Sequence, residues 1–142
     1  MKVVQWTSEL SVGHDKIDLQ HKLIVGWLKD FSDAVVSGKS SGAIETILKK
    51  LISYAKYHFT YEEMLMKQAN YDGLKEHHQT HENFKLELGR LLKRYNSGAL
   101  LAHDLQVFMN DWVSTHIATQ DQKYSSLLKN ESLIEELIYI EE

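Results

Sequence analysis

Nothing in this chain forces a helix to stop: its 142 residues include no proline, so long stretches can wind unbroken. Within them, apolar residues recur at alternating steps of three and four, the spacing that gathers them on one face of an α-helix. The first stripe reads Ile17, His21, Ile24, Leu28, Phe31 and Val35, and the second Ile44, Leu48, Leu51, Ala55, His58, Glu62 and Leu65. The third reads Leu74, His77, His81, Phe84, Leu88, Leu91 and Tyr95, and the fourth Leu105, Met109, Trp112 and His116. Short polar breaks separate them, Ser37-Gly38-Lys39-Ser40-Ser41-Gly42, Asn70-Tyr71-Asp72-Gly73 and Asn96-Ser97-Gly98. Helices joined so briefly run antiparallel to their sequential neighbours. The expectation is an all-α protein, an antiparallel up-down-up-down four-helix bundle with helices over 17–38, 42–67, 73–95 and 99–128. A chain of this length makes one domain, 1–142, with the bundle in 17–128. An N-terminal arm anchored by Trp6 precedes it, and a tail over 131–142 follows. Leu133, Ile134, Leu137 and Ile138 fall on one side of a short C-terminal helix in that tail. It is expected to pack back on its own bundle, the alternative being a partner-binding or dimerising segment.

The stripes are not wholly apolar. His21, His58, Glu62, His77, His81 and His116 stand where the pattern reserves buried positions. Asp121 follows His116 by five residues, about 140° further round an ideal α-helix. It either reaches in from the flank of the seam or sits on a turn wound more loosely, as at a π-bulge. His21 opens the first helix, His58 and Glu62 close the second, His77 and His81 open the third, and His116 and Asp121 close the fourth. In an antiparallel bundle all seven therefore lie at one pole. Burying so many polar groups without partners costs several kcal/mol per ion, and metal ions are the partners that answer it. His14, His78 and His103 fail the same test of placement and read as surface residues or as supports behind the ligands. Two bridging carboxylates, five imidazoles and a solvent-derived bridging oxygen fill two octahedra but for one position. Such a set suits paired iron or manganese better than tetrahedral zinc, and the vacancy suits a small diatomic.

Composition narrows the alternatives. Without cysteine there is no disulfide, thiolate-held iron–sulfur cluster, c-type haem or cysteine nucleophile. A net charge of -4, with cations scattered among acids, gives no footprint for nucleic acid or an anionic membrane. No apolar run is long enough to span a bilayer. The opening MKVVQWTSELSVGHD lacks the apolar stretch of a secretory signal, so the cytoplasm is the expected location.

Four motifs, in order and at bundle spacing, resemble the hemerythrins, specifically their bacterial single-domain type. They are VGHDKIDLQHKLI around His21, HFTYEE around His58 and Glu62, HHQTH with His77 and His81, and DWVSTHIATQD ending in Asp121. The resemblance covers nearly the whole chain. It implies two iron ions bridged by an oxo or hydroxo group, Glu62 and Asp121, with His77, His81 and His116 on one iron and His21 and His58 on the other. The two-histidine iron would keep the vacancy. The implied function is reversible dioxygen binding for storage, transport or delivery, by a monomer and without enzymatic turnover. The alternatives are a sensor of dioxygen, nitric oxide or redox state acting through a partner protein, and iron handling. A haem-binding bundle leaves Glu62 and Asp121 unexplained. Ile117 and Ala118 are expected to border the dioxygen pocket. The family often carries a bulky aliphatic where Ala118 stands, so faster autoxidation is expected here. It also commonly carries proline after the tyrosine equivalent to Tyr71, where this chain has Asp72, a change expected to affect the loop more than the site.

Overall fold

The three breaks end their helices by one device. In the computed structural model, which describes residues 3–100 and 102–128, α1 (Asp15–Val36) ends at Gly38, which takes a left-handed φ of 74°. Gly38 N–H then donates to the Val35 carbonyl and Lys39 N–H to that of Ala34, satisfying acceptors the last turn would leave open. Asn70, at φ 54°, closes α2 (Ser40–Gln68) in the same way, and Gly98 closes α3 (Leu74–Asn96). Asparagine is one of the few residues with a side chain that tolerate this conformation. Each cap reverses the chain within a few residues, so α1, α2 and α3 alternate in direction. The fourth segment, opening with α4 (Ala102–Asp111), returns against α1. All regular structure among the described residues is helical, and the bundle is antiparallel as expected.

Two differences from the sequence reading concern the beginning of the chain. Helix α1 starts at Asp15, two residues early, because the His14 imidazole caps it, Nδ1 accepting from Ile17 N–H at 3.3 Å. His14 is not a surface residue but fully buried, edge-on to the Tyr61 ring. The described part of the arm packs on the bundle, yet Trp6 is only half-buried, while Leu10 and Val12 are the side chains it sinks into the bundle. Polar ties complete the anchoring. Val4 N–H donates to Asn110 Oδ1 at 3.0 Å, Val12 N–H to Asp18 Oδ1 at 2.8 Å, and Gln122 Nε2 to the Leu10 carbonyl at 3.0 Å.

The fourth segment is where winding departs from a plain α-helix. After α4 it runs as a π-helix over Trp112–Gln120, tightens to a 3-10 turn over Asp121–Tyr124, and resumes as α5 (Ser125–Leu128). The loosened turns coincide with hydroxyls that bond back to the helix. Ser114 Oγ donates to the Asn110 carbonyl at 2.8 Å, Thr115 Oγ1 to Asp111, and Thr119 Oγ1 to Thr115. Such bonds draw carbonyls away from the i→i+4 ladder and bend it. The expected tail helix over 131–142 lies outside the described residues.

The interior has two apolar parts. The larger contains Ile24, Leu28, Leu51, Phe84, Leu105, Met109 and Ile117 among others; the smaller is built from Val12, Ile17, Tyr61, Leu65, Met66 and Tyr124. The sequence-predicted polar residues fall between the two parts: Ile17 and Ile24 flank His21, Ile117 and Tyr124 flank Asp121, and on α3 His77 and His81 lie between Leu74, which packs against the smaller part, and Phe84 of the larger.

Candidate metal centre

His21, His58, Glu62, His77, His81, His116 and Asp121 meet in that intervening layer, each 4% exposed or less. The π-helix is what admits Asp121. Its N–H donates to the His116 carbonyl, an i→i+5 bond, and this wider winding turns residues five apart toward the same side. Of the two routes left open by the sequence, the structure takes the looser turn rather than an approach from the flank.

The donor atoms sort into two groups that share a carboxylate. Glu62, His77, His81, His116 and Asp121 each offer an atom within 4.8 Å of all the others, and so do His21, His58 and Glu62. Glu62 points Oε1 at His77 Nε2 (2.8 Å) and His81 Nε2 (3.0 Å), and Oε2 at His58 Nε2 (3.4 Å) and His21 Nε2 (3.5 Å). Asp121 divides itself likewise, Oδ1 toward His77 (2.9 Å) and His116 (3.0 Å), Oδ2 toward His21 (3.1 Å). Each carboxylate thus presents one oxygen to either group of imidazoles, the arrangement of a bridge between two cations.

Around this centre lies a ring of acceptors that fixes the imidazoles. His58 Nδ1 meets Gln20 Oε1 at 2.5 Å, His81 Nδ1 meets Glu63 Oε2 at 2.7 Å, and His116 Nδ1 meets Thr80 Oγ1 at 3.1 Å. The Thr80 hydroxyl already donates to the His77 carbonyl, so it accepts from His116. Gln20 Oε1 and Glu63 can only accept as well. All three imidazoles therefore carry their proton on the outer nitrogen and turn the Nε2 lone pair inward, the tautomer a metal requires. His78, half exposed, reaches the same Glu63 carboxylate from outside. Three aromatic rings lie flat on imidazoles: Tyr54 on His58 (4.6 Å between centroids), Phe59 on His81 (3.9 Å) and Trp112 on His116 (3.8 Å). Tyr124 donates its hydroxyl to Glu62. Burial and the adjacent carboxylates push that phenol well above its ordinary pKa, so it remains a donor.

The donors fit cations and only partly satisfy one another: His77 bonds Glu62 and His21 meets His58. Nε2 of His81 and His116 and both oxygens of Asp121 lack any hydrogen-bond partner, although carboxylate and imidazole atoms stand about 3 Å apart. Burial opposes ionisation of Glu62, and the His58, His21 and His77 imidazoles outweigh it, holding the carboxyl well below its usual range. Asp121 is also held ionised: burial and the Glu62 charge resist, while His116 and His21 prevail. Two buried anions, oriented lone pairs and orphaned polar atoms converge on the same space, which is the chemistry of a cation site.

Sequence reasoning missed the supporting residues. Gln20 and Glu63 are chain neighbours of His21 and Glu62 but serve histidines on other helices, a relation no single-helix pattern reveals. Tyr54 and Trp112 carried a readable signal, standing four residues before His58 and His116 on the same faces. Ile117 and Ala118 occupy the π-helix between His116 and Asp121, Ile117 fully buried in the larger apolar part and Ala118 half-buried against it.

Fold and site together define a four-helix-bundle protein with a buried two-cation centre made of imidazole and carboxylate. The model of the hemerythrin HHE cation-binding domain matches residues 12–128, and the chain belongs to the hemerythrin family. Its cofactor is accordingly a pair of iron ions. It is similar to the bacteriohemerythrin of Stenotrophomonas maltophilia, 29% identical over 91% of this chain and 84% of that one. The bacteriohemerythrin of Pseudomonas aeruginosa is 30% identical over 88% of this chain and 81% of its own length. Myohemerythrin-1 of Phascolopsis gouldii is 31% identical over 87% of this chain and 92% of its own.

Proposed function

We propose that this chain binds dioxygen reversibly at its di-iron centre, for storage, transport or delivery. In this reading His77, His81 and His116 would hold one iron, His21 and His58 the other, and Glu62 and Asp121 would be shared between them. The observation that carries this reading is the division of each carboxylate between two sets of imidazoles, three of which, His58, His81 and His116, are held with Nε2 turned inward. When bound, the iron pair supplies the electrons that reversible dioxygen binding takes up and returns.

The rest falls to the chain. Five neutral imidazoles against two carboxylates leave the centre with little negative charge, which disfavours the high oxidation states an oxidase needs. Gln20, Glu63 and Thr80 hold three of the imidazoles in one tautomer and one orientation. The stacked rings of Tyr54, Phe59 and Trp112 keep water from the imidazole faces. Ile117 and Ala118 supply apolar surface beside His116.

The test is anaerobic reduction of the iron-loaded protein, admission of air and removal of oxygen, followed by visible absorption and resonance Raman spectroscopy. Visible bands that come and go with oxygen, an isotope-sensitive O–O stretch, and two irons per chain by elemental analysis are the expected result. Irreversible conversion to the ferric state on first exposure overturns the carrier reading.

A further inference from the structure

Between α2 and α3, at the metal pole, opens a groove of about 720 Å³ that the proposed centre does not use. Two of its lining residues touch the centre from behind. The Phe59 ring lies flat on the His81 imidazole, 3.9 Å between centroids, and Glu63 Oε2 accepts from His81 Nδ1 at 2.7 Å. Glu63 is partly exposed, so one hydrogen bond separates a carboxylate at the surface from a proposed iron ligand. Along the groove stand Lys67, Lys75 and Lys85. Lys85 pairs with Glu82 at 3.3 Å, while Lys67 and Lys75 have no ion-pair partner among the described residues.

A second groove approaches the centre between α3 and the fourth segment. Trp112 lines it together with His116, on which it stacks. Beside them stand Asp111 and Glu87, the latter held by Arg90, and the lining has no lysine or arginine. Of these two approaches the first is the positive one, in a chain whose net charge is -4.

A carrier that autoxidises is left ferric, and ferric irons do not take up dioxygen again until electrons are returned. Taking the dioxygen-binding reading of the centre as its basis, we propose that the lysine-edged groove docks an acidic one-electron carrier protein that returns them. Two carriers in turn lose one electron each, the two ferric ions gain one each, and solvent supplies the proton that the bridging oxygen takes up. Glu63 and Phe59 give the electron a short route to His81, one hydrogen-bonded and one through packed rings. Redox encounters bury little surface, and lysines without partners speed them by steering an acidic face toward the groove. A small anion matches less well. Lys75 and Lys85 stand ten residues apart on α3, about 15 Å, a span that suits several carboxylates on one protein surface. An anionic membrane calls for a cluster of about four to eight cations, more than this groove carries.

The test takes the iron-loaded full chain in its ferric state and follows its anaerobic reduction by stopped flow with three donors. Reduced flavodoxin is an acidic carrier protein, the methyl viologen radical is a small cation, and the reducing species of dithionite is a small anion. With flavodoxin the rate is expected to fall as salt is raised, and to drop about tenfold in Lys67→Glu/Lys75→Glu. The viologen rate should hold or rise in that variant, with dioxygen binding unchanged. Carbodiimide coupling of oxidised flavodoxin to the chain, mapped by mass spectrometry, is expected at Lys67 and Lys75 and requires no electron transfer. Cross-links confined to other lysines, or a flavodoxin rate indifferent to salt and to the variant, overturn the proposal. An equal loss with dithionite assigns the groove to small anions and overturns it as well. Ferric conversion on first exposure to air would end the carrier reading while leaving these rates and cross-links to stand or fall by themselves.

Discussion

An imidazole that turns one nitrogen toward a metal must dispose of the proton on the other, and here Gln20, Glu63 and Thr80 receive it for His58, His81 and His116. Glu63 is the charged member of that trio, and a carboxylate on the outer nitrogen strengthens the inner one as a donor most. Glu63→Gln is therefore expected to speed iron loss to a competing chelator about 10–100-fold, with smaller effects for Gln20→Ala and Thr80→Ala. Equal rates in all three variants would deny the charge any part. Ala118 tests the dioxygen side. Its small side chain, half-buried beside His116, leaves more room than a bulky aliphatic, and Ala118→Leu is expected to slow autoxidation of the oxygenated form; unchanged kinetics would remove it from the pocket. That seven polar residues would share one buried layer was legible in sequence because a core stripe admits a polar residue only with a partner. The supports were not, since Gln20 and Glu63 point off their own stripes and gain meaning only once a neighbouring helix is packed beside them. The burial of His14 was not legible for a related reason: periodicity says nothing of a residue that precedes its helix.

At the scale of elements, the π-helix decides whether the fourth segment can deliver two donors five residues apart. The sequence left two routes open because backbone winding depends on competition for carbonyls, which a hydrophobic pattern does not record. The readable trace was chemical, a run of hydroxyl residues, Ser114, Thr115 and Thr119, each bonding back four residues. The combined variant Ser114→Ala/Thr115→Ala/Thr119→Ala returns those carbonyls to the helix ladder and should favour α-winding, which swings Asp121 toward the flank. Iron retained per chain after dialysis against chelator is expected to fall, while helical circular dichroism holds or rises. Full iron retention would mean that packing on either side of the segment, rather than the hydroxyls, sets its pitch. The other helices needed no such device, for the donors of α2 and of α3 stand four residues apart and α1 supplies His21 alone, and the breaks at Gly38, Asn70 and Gly98 ended them close to where turn chemistry placed them.

Across the whole molecule, a polar layer divides the apolar interior in two, so the cations are part of what holds the bundle together. Stripping the iron leaves buried charges with incomplete partners, a loss of about 3–5 kcal/mol, or roughly 10–20 °C in Tm for a chain of this size. The pH dependence then separates the two forms. Without cations, burial works against the charged form of His21, but the Asp121 and Glu62 carboxylates beside it push its pKa up to about 9. His77 is raised by the same two carboxylates, against its burial, to about 10. The stability these two contribute is complete below the ordinary imidazole value near 6.5 and disappears as pH rises through 9 to 10. His58 runs the other way: burial lowers it to about 4, so its contribution is present above 6.5 and lost as pH falls toward 4. The stripped protein should be most stable close to pH 6.5 and weaken on both sides. In the loaded protein, coordination keeps the imidazoles neutral, protons compete only by expelling metal, and the alkaline decline is absent. Melting both forms between about pH 5 and pH 10 tests this: a stripped protein whose Tm keeps rising to the alkaline end would show that His21 and His77 are not held charged by the carboxylates that await the cations.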